Sequence, residues 1–235
     1  MIDLLHTDCM EYMRGLPDKA FDLAIVDPPF NLSAASKCWF GSDVSNTGVK
    51  RTTTEKFKEW DSKAPDSEYM AELRRVSRNQ IVWGANHFIE AINMRSPCWI
   101  VWDKENQSSS FADCELAWTS FKTSVRIFRF MWNGMLQGDM KNKEARIHPT
   151  QKPVALYRWL LKNYAKPGQR ILDTHGGSMS IAIACDIEGY DLTLCELDRD
   201  YFEAGKKRLE QHQQQPRMFA PAPVAQAEQL TIEAP

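Results

Sequence analysis

The chain of 235 residues lacks several features that would fix a protein class at once. It has no Cys-x-x-Cys pair, and Cys9, Cys38, Cys98, Cys114, Cys185 and Cys195 are scattered, several of them inside apolar runs. That excludes a dithiol redox motif and leaves the thiols expected as reduced and structural. The five histidines show no metal-ligand spacing, so no metal site is expected. No apolar stretch reaches the roughly 20 residues that a membrane helix needs. Residues 1–8 lack a basic start followed by an apolar core, so a cytoplasmic protein without a membrane partner is the expectation. Charge imbalance is small as well: the formal net charge is −2, and any surface for a polyanion must be a local patch. Internal repeats are absent, and no lysine follows the glycines at 176–177 as in a nucleoside triphosphatase loop.

What is present is an alternation of apolar strands and amphipathic helices, 43% hydrophobic and 26% charged, enough for a sizeable core. Residues 2–6 read as a strand and 21–26 as a second, buried one. Between them, 9–16 read as a short helix with Met10, Met13 and Leu16 on one face, closed by Pro17. Strand, helix and strand in so short a span suggest a parallel α/β sheet. The second strand runs into Asp27-Pro28-Pro29-Phe30. Prolines have no amide to donate and a fixed φ, so the backbone leaves the sheet there. Asp27 and Phe30 then stand at the lip where open α/β sheets bind ligands. A carboxylate, rigid carbonyls and an aromatic face in one place can hold a planar base by its amino group. The same residues also fit a plain strand end with a surface Asp and a half-buried Phe.

Periodicity vanishes over 31–63, where Lys37, Lys50, Arg51, Lys56 and Lys58 interleave with Trp39, Phe40, Phe57 and Trp60. A loop facing nucleic acid and a solvated insertion are both open. A helix capped by Ser67 and ending at Val76 follows, then a strand over 80–83, a helix over 88–94, and strands over 98–102 and 123–132. Residues 122–152 carry seven Lys or Arg against two acidic residues. The polar stretch 133–146 within them is a second candidate for phosphate contact or a solvated basic loop.

In the C-terminal third, Thr150 is expected to cap a helix that reaches Tyr164, with Pro153 in its early turn. Residues 170–173 form a strand running into Thr174-His175-Gly176-Gly177-Ser178. A helix follows up to Gly189, then a strand over 192–195 with Glu196 at its carboxyl end. Although G-x-G-x-x-G is absent, this is a βαβ unit with a glycine turn and an acid where dinucleotide-type sites grip a ribose. From His212 onward the tail lacks periodicity and is expected to be disordered.

Four motifs in one order now carry a resemblance: Asp27-Pro28-Pro29-Phe30, His148-Pro149-Thr150-Gln151-Lys152-Pro153, Asp173-Thr174-His175-Gly176-Gly177-Ser178 and Glu196-Leu197-Asp198. Together they resemble the DNA amino-methyltransferases in the circularly permuted order of the beta group. Trp102-Asp103-Lys104 and Glu115-Leu116-Ala117-Trp118 resemble its small phage and prophage N6-adenine enzymes. The resemblance spans about residues 4–209. It implies a Rossmann-like S-adenosylmethionine-dependent methyltransferase fold, a seven-stranded, mostly parallel sheet with one antiparallel strand. The domain would cover 1–211, with DNA-facing insertions near 31–63 and 111–147 and the tail 212–235 outside it. The resemblance also implies catalysis by Asp27, Pro28, Pro29 and Phe30. The Asp27 carboxylate and Pro28 carbonyl would accept from the target amine, and Phe30 would stack on the flipped base. S-adenosyl-L-methionine would be held by Asp8 at its adenine with Cys9 alongside. Asp173, His175, Gly176, Gly177 and Ser178 would lie along its methionine portion, Glu196 at the ribose hydroxyls with Leu197 beside it, and Thr150, Gln151 and Lys152 at its carboxylate end.

Two departures stand out: Thr174-His175 replaces the usual Pro-Phe, and Met179 stands where a glycine is usual. A side chain at 179 either crowds the cofactor or points into the following helix. The partner implied is double-stranded DNA in a bacterial or phage-infected cell; the oligomeric state is open, a homodimer being one option because several relatives of this group are dimers. Gln229-Leu230-Thr231-Ile232 loosely resembles peptides that dock on bacterial sliding clamps. Asp rather than Ser at position 27 leans towards adenine. An N4-cytosine enzyme and a non-catalytic cofactor- or DNA-binding relative are the alternatives. Methylation of RNA or a protein glutamine is disfavoured, because related proteins of that kind carry Asn at this place.

Overall fold

The structure, a computed structural model, describes residues 1–30, 64–106, 112–133 and 136–215. The basic insertion expected over 31–63 and the clamp-like peptide lie outside the described residues.

The chain builds an eight-stranded sheet in the order β1-β10-β9-β2-β3-β5-β4-β6. Its strands are β1 (Ile2–His6), β2 (Phe21–Val26), β3 (Ser77–Trp83), β4 (Trp99–Asp103), β5 (Cys114–Thr119), β6 (Arg126–Arg129), β9 (Arg170–Asp173) and β10 (Asp191–Glu196). A two-residue pair, β7 (Trp132–Asn133) and β8 (Leu136–Gln137), stands apart. β5 pairs antiparallel with both β3 and β4, while every other neighbouring pair is parallel. The single antiparallel strand agrees with expectation, but the sheet has eight strands where seven were expected. The strand expected over 123–132 is shorter, and the chain leaves the sheet after Arg129 to make the β7–β8 pair.

β2 sits in the interior of the sheet and is buried along almost its whole length, which is why it reads as a continuous apolar run rather than an alternating one. Its side chains still alternate between two cores. Leu23 and Ile25 face a cluster that includes Leu156, Leu160, Ile181 and Leu209, whereas Ala24 and Val26 face Met13, Met70, Leu73 and Ile92. The first layer is made by helices α4 (Val154–Tyr164), α5 (Ser180–Glu188) and α6 (Arg199–Gln213). The second is made by α1 (Cys9–Arg14), α2 (Ser67–Val76) and α3 (Ile89–Ile92).

Helix starts differ from expectation in two places. Asp66, not Ser67, caps α2: its carboxylate accepts from the Tyr69 amide at 2.9 Å, the stronger acceptor taking a donor the helix leaves unpaired. Thr150 does not cap α4. That helix starts at Val154, whose amide donates to Glu144 Oε1 at 2.9 Å. α6 runs to Gln213, so the first residues of the segment expected as a tail are helical.

The topology reverses between β2 and β9. From β9 the chain crosses over to β10 on one side, and from β2 to β3 on the other, while β2 and β9 pair in parallel with Ala24 opposite Leu172. Their carboxyl ends therefore open side by side into the crevice that such a reversal creates. Asp27 leaves one strand and Thr174 leaves the other.

Candidate active site at the reversal of the sheet

The turn after β9 is shaped by its glycines and by its neighbours. A Cβ on Gly176 would lie 2.2 Å from Leu194 Cδ2, so the turn packs against β10 only because that position is bare. Gly177 has φ +48°, and its amide donates to Glu196 Oε2 at 2.7 Å, while the Asp198 amide donates to Oε1 at 2.8 Å. Each Glu196 oxygen keeps a second lone pair, so the carboxylate can still accept hydroxyl donors. Burial raises its pKa. His148, which received no role from the sequence, lies against Gly177: a Cβ there would be 3.7 Å from its ring.

Met179 answers the question its position raised. It caps α5 in the left-handed region at φ 55°, and its side chain is fully buried. The side chain points to Gly205 of α6, where an added Cβ would meet Met179 Cγ at 2.7 Å. The methionine thus packs beneath the turn, against a helix that keeps a glycine there.

Asp173 is 2% exposed and its Oδ1 accepts the His175 amide at 3.0 Å. Burial pushes its carboxyl up to about 8, helped by the Asp27 and Glu196 carboxylates and opposed by the His175 amide and Lys152. Burial pushes His175 down to about 4, so its imidazole is neutral at pH 7. Nδ1 of that ring lies 2.8 Å from Thr174 Oγ1, which is 2.7 Å from the Tyr69 hydroxyl. Its Nε2 lies 4.0 Å from Cys9 Sγ, a thiol that burial pushes up to about 12. Thr174 and His175, the departure from Pro-Phe, are thus held in a polar chain completed by Tyr69, a residue sequence reasoning missed.

Asp8 Oδ1 accepts the Met10 and Glu11 amides at 2.8 and 2.9 Å, so this predicted cofactor residue also caps α1. Thr150 is exposed and bonded to His148 Nδ1 at 3.1 Å. Gln151 braces its own loop, accepting the Ile147 amide at 3.0 Å and donating to the Ala145 carbonyl at 3.1 Å. Leu197 is 55% exposed. Arg208 ties the glycine turn to the basic loop: it donates to the Ser178 carbonyl at 2.7 Å and to Glu144 Oε2 at 2.6 Å.

On the β2 side, Lys152 Nζ lies 2.5 Å from Asp27 Oδ2 and 3.2 Å from Glu115 Oε2, and Lys104 Nζ lies 2.5 Å from Glu115 Oε1. The Lys152 side chain is only 3% exposed, and it also lies over the Trp83 ring at 5.6 Å. Asp27 Oδ1 is buried and has no hydrogen-bond partner among the described residues. Burial raises the Asp27 pKa, and Lys152 counters it. Burial would raise Glu115 too, but Lys152 and Lys104 hold it at about 2. Pro28 is buried, Pro29 half-buried, and Phe30 stacks on His87 with ring centres 4.5 Å apart and planes within 5°. Gly84 makes room for that stack, since a Cβ there would meet Phe30 Cδ1 at 2.5 Å.

The crevice therefore joins a bare glycine turn and an acid at a strand end to a buried carboxylate with an unsatisfied oxygen. Comparison with known proteins bears on the fold and the family likeness. Residues 101–207 match a family model described as DNA methylase, N6_N4_Mtase. The chain is 23% identical over 249 residues to Type II methyltransferase M2.DpnII of Streptococcus pneumoniae, covering 88% of this chain and 89% of that protein. Among solved structures it is similar to the M1.HpyAVI–SAM complex, with a TM-score of 0.54 and 21% identity over 88% of this chain and 100% of that one. It is also similar to the cytosine-N4-specific PvuII DNA methyltransferase, with a TM-score of 0.56 and 12% identity over 90% of each chain. The fold is thus that of DNA methyltransferases.

Proposed function

We propose that this chain is a DNA methyltransferase that transfers a methyl group from S-adenosyl-L-methionine to the exocyclic N6 of adenine. The observation that carries the reading is the buried, unpartnered Asp27 Oδ1 at the lip of β2, next to the turn that follows β9. The residues fit the cofactor: Gly176 lets the turn close against Leu194 of β10, Gly177 bends it at φ +48°, Met179 is folded away beneath it, and Glu196 stands at the next strand end with lone pairs for a diol. S-adenosyl-L-methionine supplies the methyl group, activated on a sulfonium.

The chemistry left to the protein is to make a weak nucleophile act. An adenine amino nitrogen delocalises its lone pair into the ring. Asp27 Oδ1 and the Pro28 carbonyl accept its two hydrogens, which favours a pyramidal nitrogen with the lone pair free. Holding nitrogen and methyl donor in line contributes about 7–11 kcal/mol in favourable cases, and the buried carboxylate adds electrostatic stabilisation as positive charge develops on nitrogen. The alkylated amine is acidic, so its proton passes to the Asp27 carboxylate and on to solvent. Phe30 offers a stacking face for a base flipped out of duplex DNA, offsetting part of a cost of a few kcal/mol.

The reading extends to a single domain over 1–211 in the circularly permuted order of the beta group, related to the phage enzymes. It also extends to a cytoplasmic setting in a bacterial or phage-infected cell, a homodimer, and a clamp-binding tail. The bacterial source of the M2.DpnII relative supports the setting. A second reading, N4-cytosine methylation, is favoured by the likeness to the PvuII enzyme.

Purified protein incubated with radiolabelled S-adenosylmethionine and duplex DNA is expected to label the DNA, and digestion to nucleosides to yield N6-methyladenine. Recovery of N4-methylcytosine selects the second reading, and absence of label rejects both. Asp27→Ala is expected to lower transfer at least a thousandfold while cofactor affinity stays within a few-fold. Substantial turnover in that variant overturns the role given to Asp27.

A further inference from the structure

The sequence resemblance gives Lys152 to the cofactor carboxylate end, but in the structure its ammonium is committed elsewhere. It lies between Asp27 Oδ2 and Glu115 Oε2, and Lys104 closes the far side of Glu115. Three elements converge on this row: β2, the hairpin of β4 and β5, and the segment entering α4. We propose that Lys152, backed by Glu115 and Lys104, is a positioning residue that pins one oxygen of Asp27 and so presents the other to the target amine. The inference rests on the methyltransferase reading above and deepens it.

The physical case is one of directions. A carboxylate rotates freely unless one oxygen is tied, and a charge-assisted bond of 2.5 Å ties Oδ2 strongly. With Oδ2 occupied, Oδ1 is the atom left for a ligand, and it is the one without a partner. The row also governs ionisation, because Asp27 must be a carboxylate to accept. Lys152 and Lys104 favour the ionised form, whereas Glu115 opposes it. The other titratable groups that bear on this row are Asp173 at the end of β9, Tyr157 of α4, His148, which faces the Lys152 charge, and His87, which faces Glu115. Glu115 thus holds Lys152 in place at the cost of some repulsion, a trade that predicts opposite effects from removing the two charges.

The test is single-turnover methyl transfer to duplex DNA, followed across pH at saturating S-adenosylmethionine, with cofactor affinity measured separately. Lys152→Met is expected to move the acid limb to higher pH by about one unit or more, as loss of a cation within contact distance does. Glu115→Gln, which keeps the shape, leaves Lys152 its bond to Asp27 and leaves Lys104 an amide oxygen in place of the carboxylate, is expected to move it to lower pH. Cofactor affinity should stay within threefold in both. A limb that stays put, shifts of the same sign, or a Lys152→Met defect confined to cofactor binding overturns the proposal. If Lys152→Met does not fold, the direction of the Glu115→Gln shift decides. A wild-type protein that labels no DNA at any pH rejects the underlying reading instead.

Discussion

Met179 and Gly205 form a pair whose logic belongs to single residues. A non-glycine residue in the left-handed region costs about 1–3 kcal/mol, and here it is offset by burying a flexible thioether against the bare face of α6. Gly205→Ala is expected to lower stability by about 1–3 kcal/mol through overpacking, since the new Cβ meets Met179 Cγ at 2.7 Å and the Gly177 carbonyl at 3.2 Å. Adding Met179→Gly should recover much of that loss, a coupling read from urea unfolding of the two single variants and the double variant. Equal losses in the presence and absence of Met179 would show that the two residues do not share the space. At this scale the sequence was most legible where covalent chemistry dictates geometry. Asp27 was marked out by the two prolines behind it, and Gly176 and Gly177 by the turn they must make. Partners across space were not legible. Nothing local to Lys152 names Asp27 or Glu115, and nothing near Thr174 names Tyr69, because such pairs are set by which strands become neighbours.

At the scale of elements, runs with one clear period were read correctly and mixed ones were not. β2 and β10 are short, mostly apolar segments buried along almost their whole length, and the apolar face of α4 recurs at helical spacing. β5 was missed as a strand because Cys114–Thr119 is buried only towards its end, leaving a short pattern without a clear period. The expectation of seven strands came from the resemblance, and the sheet has eight, β5 being its antiparallel member. The start of α4 escaped for a different reason: its first amide is satisfied by Glu144, ten residues earlier, and Glu144 is held in turn by Arg208 of α6. These side chains are 19% and 12% exposed, so the pair is shielded from water. Arg208→Ala is expected to destabilise the protein by about 3–5 kcal/mol, because it strands a buried carboxylate. The same variant should raise hydrogen exchange at Val154 and in the glycine turn, whose Ser178 carbonyl loses its donor. A change below about 0.5 kcal/mol would mean that water replaces the guanidinium.

For the whole molecule, the arrangement of the sheet matters more than any one contact. The two halves of the crevice come from opposite parts of the chain, β2 early and β9 late, and β1 pairs with β10. A fragment of residues 1–166 therefore retains Asp27 and Lys152 yet lacks the strand against which β2 is zipped on one side. It is expected to show no cooperative unfolding transition and no cofactor binding, by calorimetry and equilibrium titration. A folded, binding-competent fragment would contradict the dependence of β2 on β9.

The pairing of β1 with β10 also bears on how the protein is made. As the chain leaves the ribosome, the first strand stays without its neighbour until nearly the last has emerged, and the central strand β2 waits almost as long for β9. Native pairing is then mostly non-local, which slows folding and leaves strand edges open in the interim. Translation arrested before residue 170 should thus yield chains held by chaperones rather than half-finished enzyme, so that no partial product can bind or modify DNA.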